Sequence, residues 1–309
     1  MAKKRNPADY IEPIIMNGLR GRMLRMPAPK NKHREILFIY GHHASIERQF
    51  GLIEVLNRYG SVTVPDLPGF GGMQSFYKIG EKPSIDNLAD YLASFVKLRY
   101  KNKRKKITIA AVSLGFVVTT RMLQKYPDIA KKVDLLISIV GFAHHEEFRF
   151  TRSTFLFFRY GASFFSRRVP AWFGRTFVLR PFVIRSVYKL MASTNPKLKD
   201  ADKEEQNERI DFEIVLWRIN DLRTYMDTTV SMMKLNLCNV QVDLPVYHVA
   251  VAHDRYFDNS LVEQHLGVIY NKVEVIPARM PAHAPTVIAD AKAAAGIMPL
   301  RIRRLLAKQ

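Results

Sequence analysis

The sequence predicts an α/β protein with a mostly parallel sheet and helices packed on both faces. Three observations carry this reading. Short apolar runs alternate with helical patterns through residues 1–143 and again through 239–309. Ser113 stands between a strand pattern and a helix pattern, with the small residues Ala111 and Gly115 two positions to either side. Between 144 and 238 the strand pattern lapses and a helical, aromatic and basic segment takes its place. The simplest organisation is a core in two parts, 1–143 and 239–309, interrupted by an insertion at 144–238.

The elements follow in order. Ile14-Met16 and Arg22-Met26 flank Asn17-Gly18, a dipeptide that favours a tight hairpin turn. Ile36-Tyr40 reads as a buried strand ending at Gly41, and Ile46-Tyr59 as the helix after it. Val62-Pro65 is the next strand, followed by the loop Asp66-Leu67-Pro68-Gly69-Phe70-Gly71-Gly72. The segment Ser84-Asp86 is placed to cap a helix through about Leu98, whose periodic apolar residues are Leu88, Leu92, Phe95 and Val96. Ile107-Val112 is a strand, and the helix after Ser113 ends near Tyr126-Pro127-Asp128. Leu135-Val140 is a sixth strand, closed by Gly141. After the insertion come strands at Val246-Ala252 and Lys272-Ile276, with a helix at about Ser260-Tyr270 between them. Helices at about Val287-Ala295 and through Pro299-Gln309 end the chain.

A strand, a serine on a sharp turn and a helix make the layout of a nucleophile elbow. The turn is tight, so small residues must flank the serine, which Ala111 and Gly115 satisfy. Other segments lie where the same machinery would need them. Val62-Thr63-Val64-Pro65-Asp66-Leu67-Pro68-Gly69-Phe70-Gly71 resembles the D-x-P-G-F-G loop of the α/β-hydrolase superfamily. Leu37-Phe38-Ile39-Tyr40-Gly41-His42-His43 resembles its strand-then-HG oxyanion loop, with Tyr40 where histidine usually stands. Leu244 to Asp254 resembles the strand that delivers the acid, and Met280-Pro281-Ala282-His283-Ala284-Pro285 the loop that delivers the histidine. The order Ser, Asp, His is that superfamily's chain order. The resemblance covers about 14–143 and 239–298. It implies an eight-stranded, mostly parallel sheet with a helical cap inserted after the sixth strand.

The chemistry implied is acyl transfer to serine. A serine hydroxyl needs an adjacent base, and His283 is positioned in sequence to take the Ser113 proton and return it to the leaving group. Asp254 would hold the other ring nitrogen and stabilise the imidazolium. A tetrahedral intermediate needs two aimed donors, and the backbone N–H groups of Leu114 and His42 are the candidates. Asp258, one helical turn beyond Asp254, is a rival for the acid, as are Glu146 and Glu147 after the sixth strand. The side chains of His42 and His43 are expected to line the pocket mouth or bond within their loop. His144, His145 and Glu146 match no strong metal-ligand spacing, and Asp66 is expected to fix its loop. No metal and no cofactor is called for.

Composition narrows the setting. Nearly half of the 309 residues are apolar, as in a globular chain. Cys238 is the only cysteine, so no intrachain disulfide forms. The segment Met1-Ala2-Lys3-Lys4-Arg5-Asn6-Pro7 lacks the apolar stretch of a signal peptide, and no uncharged run approaches the length of a membrane span. A cytoplasmic setting is the expectation, with peripheral contact at the inner membrane face. The formal charge of +20 favours an anionic partner. From Phe148 to Lys199 there is no acidic residue, while arginines interleave with phenylalanines. Such a segment suits an acyl-chain pocket on one side and an anionic bilayer on the other. No recognised nucleic-acid motif accompanies it.

The expected activity is therefore hydrolysis of a carboxylic ester with an apolar, lipid-like acyl group. Carbon–carbon bond hydrolysis and acyl transfer use the same triad and stand as alternatives. A non-catalytic lipid- or nucleic-acid-binding protein of this fold is the alternative from another class. Serine at 113 argues against dehalogenase and epoxide hydrolase chemistry, where relatives carry aspartate.

Overall fold

The computed structural model of the chain describes residues 5–102, 104–191, 202–252, 254–278, 294 and 298–308. Eight strands form one sheet: β1 (Ile11–Met16), β2 (Leu19–Met26), β3 (Arg34–Ile39), β4 (Gly60–Pro65), β5 (Ile107–Val112), β6 (Val133–Ile139), β7 (Val242–Val251) and β8 (Tyr270–Ala278). Their spatial order is β1-β2-β4-β3-β5-β6-β7-β8. β1, β2 and β4 pair antiparallel, and the remaining pairs are parallel. The β1–β2 turn places Asn17 at φ 51° and Gly18 at φ 76°, the left-handed pair that a two-residue hairpin requires.

Among the described residues, six helices flank the sheet: α1 (Phe50–Asn57), α2 (Ile85–Arg99), α3 (Leu114–Lys125), the short α4 (Pro127–Ala130), and, after the insertion, α10 (Asn259–Ile269) and α11 (Leu300–Ala307). The insertion between β6 and β7 contains α5 (Arg152–Phe165), α6 (Arg168–Phe173), α7 (Pro181–Leu190), α8 (Lys203–Ile219) and α9 (Leu222–Met232). A π-helical turn, Gly174–Val178, joins α6 to the approach of α7.

All six residues of β5 are buried, which is why it reads as a continuous apolar run. Helix α3 packs on β5 and α2 packs on α3, burying Phe116, Val117 and Leu123 of α3 and Leu88, Leu92, Phe95 and Val96 of α2. Ser84 caps α2 by accepting from the Asn87 N–H at 3.1 Å. The helix expected over Ile46-Tyr59 is shorter and begins as a 3₁₀ turn, Glu47–Gln49, before α1. Apart from Ala294, the expected helix at Val287-Ala295 lies outside the described residues, as does the loop carrying His283.

Candidate active site

Ser113 lies between the last residue of β5 and the first of α3, at φ 48° and ψ −118°. A non-glycine residue at such a positive φ is strained and persists only when its surroundings over-determine it. Two glycines enforce the turn. A Cβ on Gly115 would meet the carbonyl oxygens of Ile39 and Tyr40 at 2.5 Å, so α3 can start against the end of β3 only with glycine there. A Cβ on Gly41 would come within 3.2 Å of the Ser113 Cβ, so the loop after β3 runs directly beside the serine. The Ser113 N–H is anchored to the Ile139 carbonyl of β6 at 3.0 Å. Leu114 opens α3, and first-turn N–H groups have no partner within their own helix. His42 follows Gly41 in the adjoining loop, so the elements bearing both expected oxyanion donors flank Ser113.

The candidate acids occupy four different settings. Asp254 is buried beyond the end of β7, and its Oδ1 accepts from the backbone N–H of Tyr256 at 2.8 Å and of Phe257 at 3.2 Å. Those bonds hold the carboxylate in a fixed orientation. Asp258 caps α10, accepting from Ser260 N–H at 2.9 Å and Leu261 N–H at 3.2 Å. Glu146 is exposed and faces His144 Nδ1 at 3.6 Å. Glu147 is fully buried, accepting from the Ala143 N–H at 2.9 Å and pairing with His265 Nδ1 at 2.8 Å. Burial pushes the Glu147 carboxyl up from its ordinary value, against the pull of those donors. His144, Glu146 and His265 each offer a ligand atom within 4.8 Å of the others, a proximity the sequence spacing did not reveal because His265 comes from α10. His283 lies outside the described residues.

His42 and His43 bond to the insertion. His42 Nε2 lies 2.9 Å from Thr228 Oγ1 and 3.2 Å from the Tyr225 carbonyl, and its ring stacks on Tyr225 at 4.1 Å. A carbonyl accepts only, so Nε2 carries the proton. Burial, with His43 alongside, pushes the His42 pKa down to about 3, so the ring is neutral. His43, at φ 52°, packs on Trp217 and faces Glu213 at 3.4 Å.

Ser113 opens into a cavity of about 390 Å³. Phe142 and Phe257 contribute aromatic wall from the core, and Phe148 and Phe150 from the segment that leads into the insertion. The insertion adds Phe158 from α5, with Tyr225, Thr229 and Met232 from α9. Phe142 and Phe257 stack at 4.3 Å within that wall. Arg48 also lines the cavity. It is buried, donates to the His43 carbonyl at 2.9 Å and faces Glu213 at 3.8 Å. Sequence reading missed Arg48 and Glu213, since each looks like an ordinary polar helix position until the insertion is folded over the core.

The loop after β4 is held from both sides. Within the core, Tyr40 donates to Asp66 at 2.7 Å and Arg22 donates to the same carboxylate at 2.6 Å. From the insertion, Asn220 accepts from Gly71 N–H at 2.8 Å, and Asp221 N–H donates to the Gly69 carbonyl at 2.8 Å. A side chain on Gly71 would overlap the Asp66 carboxylate, which explains glycine at its φ of 65°.

No protein-family model matches the chain, and no curated protein matches it in sequence. Solved structures do. A thermophilic esterase from Thermogutta terrifontis superposes with a TM-score of 0.61 at 18% identity, covering 97% of each chain. A bacterial membrane phospholipase A superposes with a TM-score of 0.62 at 12% identity, covering 96% of this chain and 84% of its own. The epoxide hydrolase CorEH reaches a TM-score of 0.60 at 14% identity, covering 91% of this chain and 93% of its own. The chain has the α/β-hydrolase fold. Within that fold, β5, Ser113 and α3 form the elbow, and α5 to α9 form the helical insertion after the sixth strand. At these identities the likeness concerns fold alone, because function resides in the site.

Proposed function

We propose that the protein is a serine hydrolase that cleaves a carboxylic ester with an apolar acyl group. The observation that carries the reading is Ser113 at φ 48°, opening into an aromatic cavity. Strain of this kind is retained at sites where a side chain must be presented in one direction.

In this mechanism His283 takes the Ser113 proton as Oγ attacks the ester carbonyl. The carbonyl oxygen becomes an oxyanion, held by the Leu114 and His42 N–H groups; one such donor contributes about 2.7–4 kcal/mol of transition-state stabilisation. Imidazolium returns the proton to the departing alcohol, leaving an acyl-enzyme. Water, deprotonated by His283, then releases the acid. Asp254, its carboxylate fixed by two backbone N–H groups, orients the histidine and offsets its charge. The neutral, cap-bonded His42 ring leaves the base role to His283.

Serine as nucleophile separates this site from epoxide hydrolase chemistry despite the shared fold with one such enzyme. The same groups support carbon–carbon cleavage and acyl transfer, and the lining favours an acyl chain in each case. A series of chromogenic esters of increasing acyl length tests the reading. Turnover should rise from acetate to medium chains and then fall once the cavity is filled. Ser113→Ala should lower kcat by about 10⁶. Equal hydrolysis by the variant would remove Ser113 from the mechanism.

A further inference from the structure

The insertion turns apolar side chains outward on three successive helices. On α5, Phe157 is 75% exposed, with Tyr160 and Phe164 at helical spacing on the same stripe. On α6, Val169, Trp172 and Phe173 are exposed, and Phe177 follows in the π-helical turn. On α7, Phe182 and Leu190 are 66% and 86% exposed. Isolated exposed apolar residues are ordinary, but successive stripes of aromatic rings are characteristic of a surface that meets something apolar.

The charges on these helices are of one sign. Residues 148–191 contain no Asp or Glu, and Arg152, Arg167, Arg168 and Lys189 are exposed. Among the described residues, Arg185 pairs with Asp211 of α8, and no ion pair engages Arg152, Arg159, Arg167, Arg168 or Lys189. A groove of about 510 Å³ beside Trp172 gathers Arg168, Arg175, Arg218 and Arg223. Its acidic member, Asp221, is already occupied in capping α9 through Thr224.

We propose that the outer face of α5, α6 and α7 docks on an anionic lipid bilayer, with aromatic rings at the acyl boundary and arginines among the phosphates. Charge complementarity selects this occupant. A second copy of the chain would bring the same acid-free, basic face against itself. Neutral protein surfaces would leave the arginines without counter-charge. Among the described residues no helix is long and apolar enough to cross a membrane, so the contact is interfacial.

The docking also bears on the proposed reaction, and that part rests on the ester-hydrolase reading. Phe158 lies on α5 beside the outward Phe157 and lines the cavity over Ser113. A docked α5 would therefore separate the bilayer from the cavity by the width of one helix, a short path for an acyl chain leaving the membrane.

Vesicle flotation tests the docking without any need for activity. The probes are phosphatidylcholine vesicles and vesicles of phosphatidylcholine with an equal part of phosphatidylglycerol. The protein should float with the anionic vesicles more than about tenfold better than with neutral ones, and the difference should shrink in high salt. Phe157→Ser/Trp172→Ser/Phe182→Ser should lose more than about tenfold in vesicle binding while keeping its circular dichroism and its turnover of a short soluble ester. Arg152→Glu/Arg168→Glu should lose a similar factor; both sites open a helix, where glutamate is well tolerated. Ser113→Ala should bind vesicles like wild type, which separates docking from catalysis. Equal binding to neutral and anionic vesicles would overturn the proposal. So would unaltered binding by the aromatic variant, a concentration-dependent dimer abolished by that variant, or single-stranded DNA retained where vesicles are not.

Discussion

The Tyr40 hydroxyl donates to the Asp66 carboxylate at 2.7 Å, and Arg22 closes on the same carboxylate from the other side at 2.6 Å. Tyr40 precedes Gly41 at the end of β3. In this chain the residue joins the loop after β3 to the loop after β4, and the Leu67 N–H completes the junction by donating to the Tyr40 oxygen at 3.2 Å. Tyr40→Phe removes a donor from a fully buried carboxylate. The expected cost is about 1–3 kcal/mol, read as a lowered midpoint in urea with an unchanged slope.

His42 gives the protein an acid limb in its stability. Its folded pKa of about 3 lies below the ordinary histidine value of 6.5, so the unfolded chain binds the proton that the folded ring refuses. The stability is fully present above pH 6.5 and is lost as pH falls through the window toward 3, at up to about 1.4 kcal/mol per pH unit. His42→Gln keeps an N–H for the Tyr225 carbonyl and the backbone N–H of position 42. Urea titrations across this window should show a shallower acid limb for the variant. Identical limbs would show that another group governs it.

Asp254 and Asp258 should part company under mutation. Asp258→Ala deletes the α10 cap and should cost about 1 kcal/mol of stability with turnover nearly unchanged. Asp254→Asn should leave the fold standing and lower kcat by about 10⁴, since the histidine loses its orienting charge. Melting curves and ester kinetics on the same two proteins decide the matter. The reverse pattern would make Asp258 the acid.

Gly115 and Gly41 should likewise separate stability from turnover. Gly115→Ala drives a methyl into two backbone carbonyls of β3 and its end, and should lower stability by about 1–3 kcal/mol or prevent folding. Gly41→Ala meets only tight contact, 3.2 Å to the Ser113 Cβ, and should fold while losing at least about tenfold in kcat as the oxyanion loop is pushed aside.

What was legible in the sequence was local. Asn17-Gly18 specifies its hairpin, Ser84 its helix cap, and Ala111 to Gly115 the elbow, because the backbone demand and the residue that meets it are neighbours. Asp66 could be read as a loop-fixing residue from its place in a recurrent motif, but its partners could not. Arg22 comes from another strand, 44 positions earlier. Glu213, Asn220 and Tyr225 meet the site only when the insertion folds back over β3 and its loop. The Glu147–His265 pair spans 118 positions. The direction of the insertion's aromatic rings was also unreadable: helical spacing shows that Phe157, Tyr160 and Phe164 share a stripe, not whether it faces core or solvent.

The most direct test of the central claim is covalent. A fluorophosphonate probe reacts with an activated serine hydroxyl by losing fluoride, and the peptide carrying the adduct can be found by mass spectrometry. The protein should gain one adduct, on the peptide bearing Ser113, with labelling abolished in Ser113→Ala and slowed at least about a hundredfold in His283→Ala. An unlabelled wild-type protein, or an adduct that persists in Ser113→Ala, would contradict the assignment of Ser113 as the nucleophile.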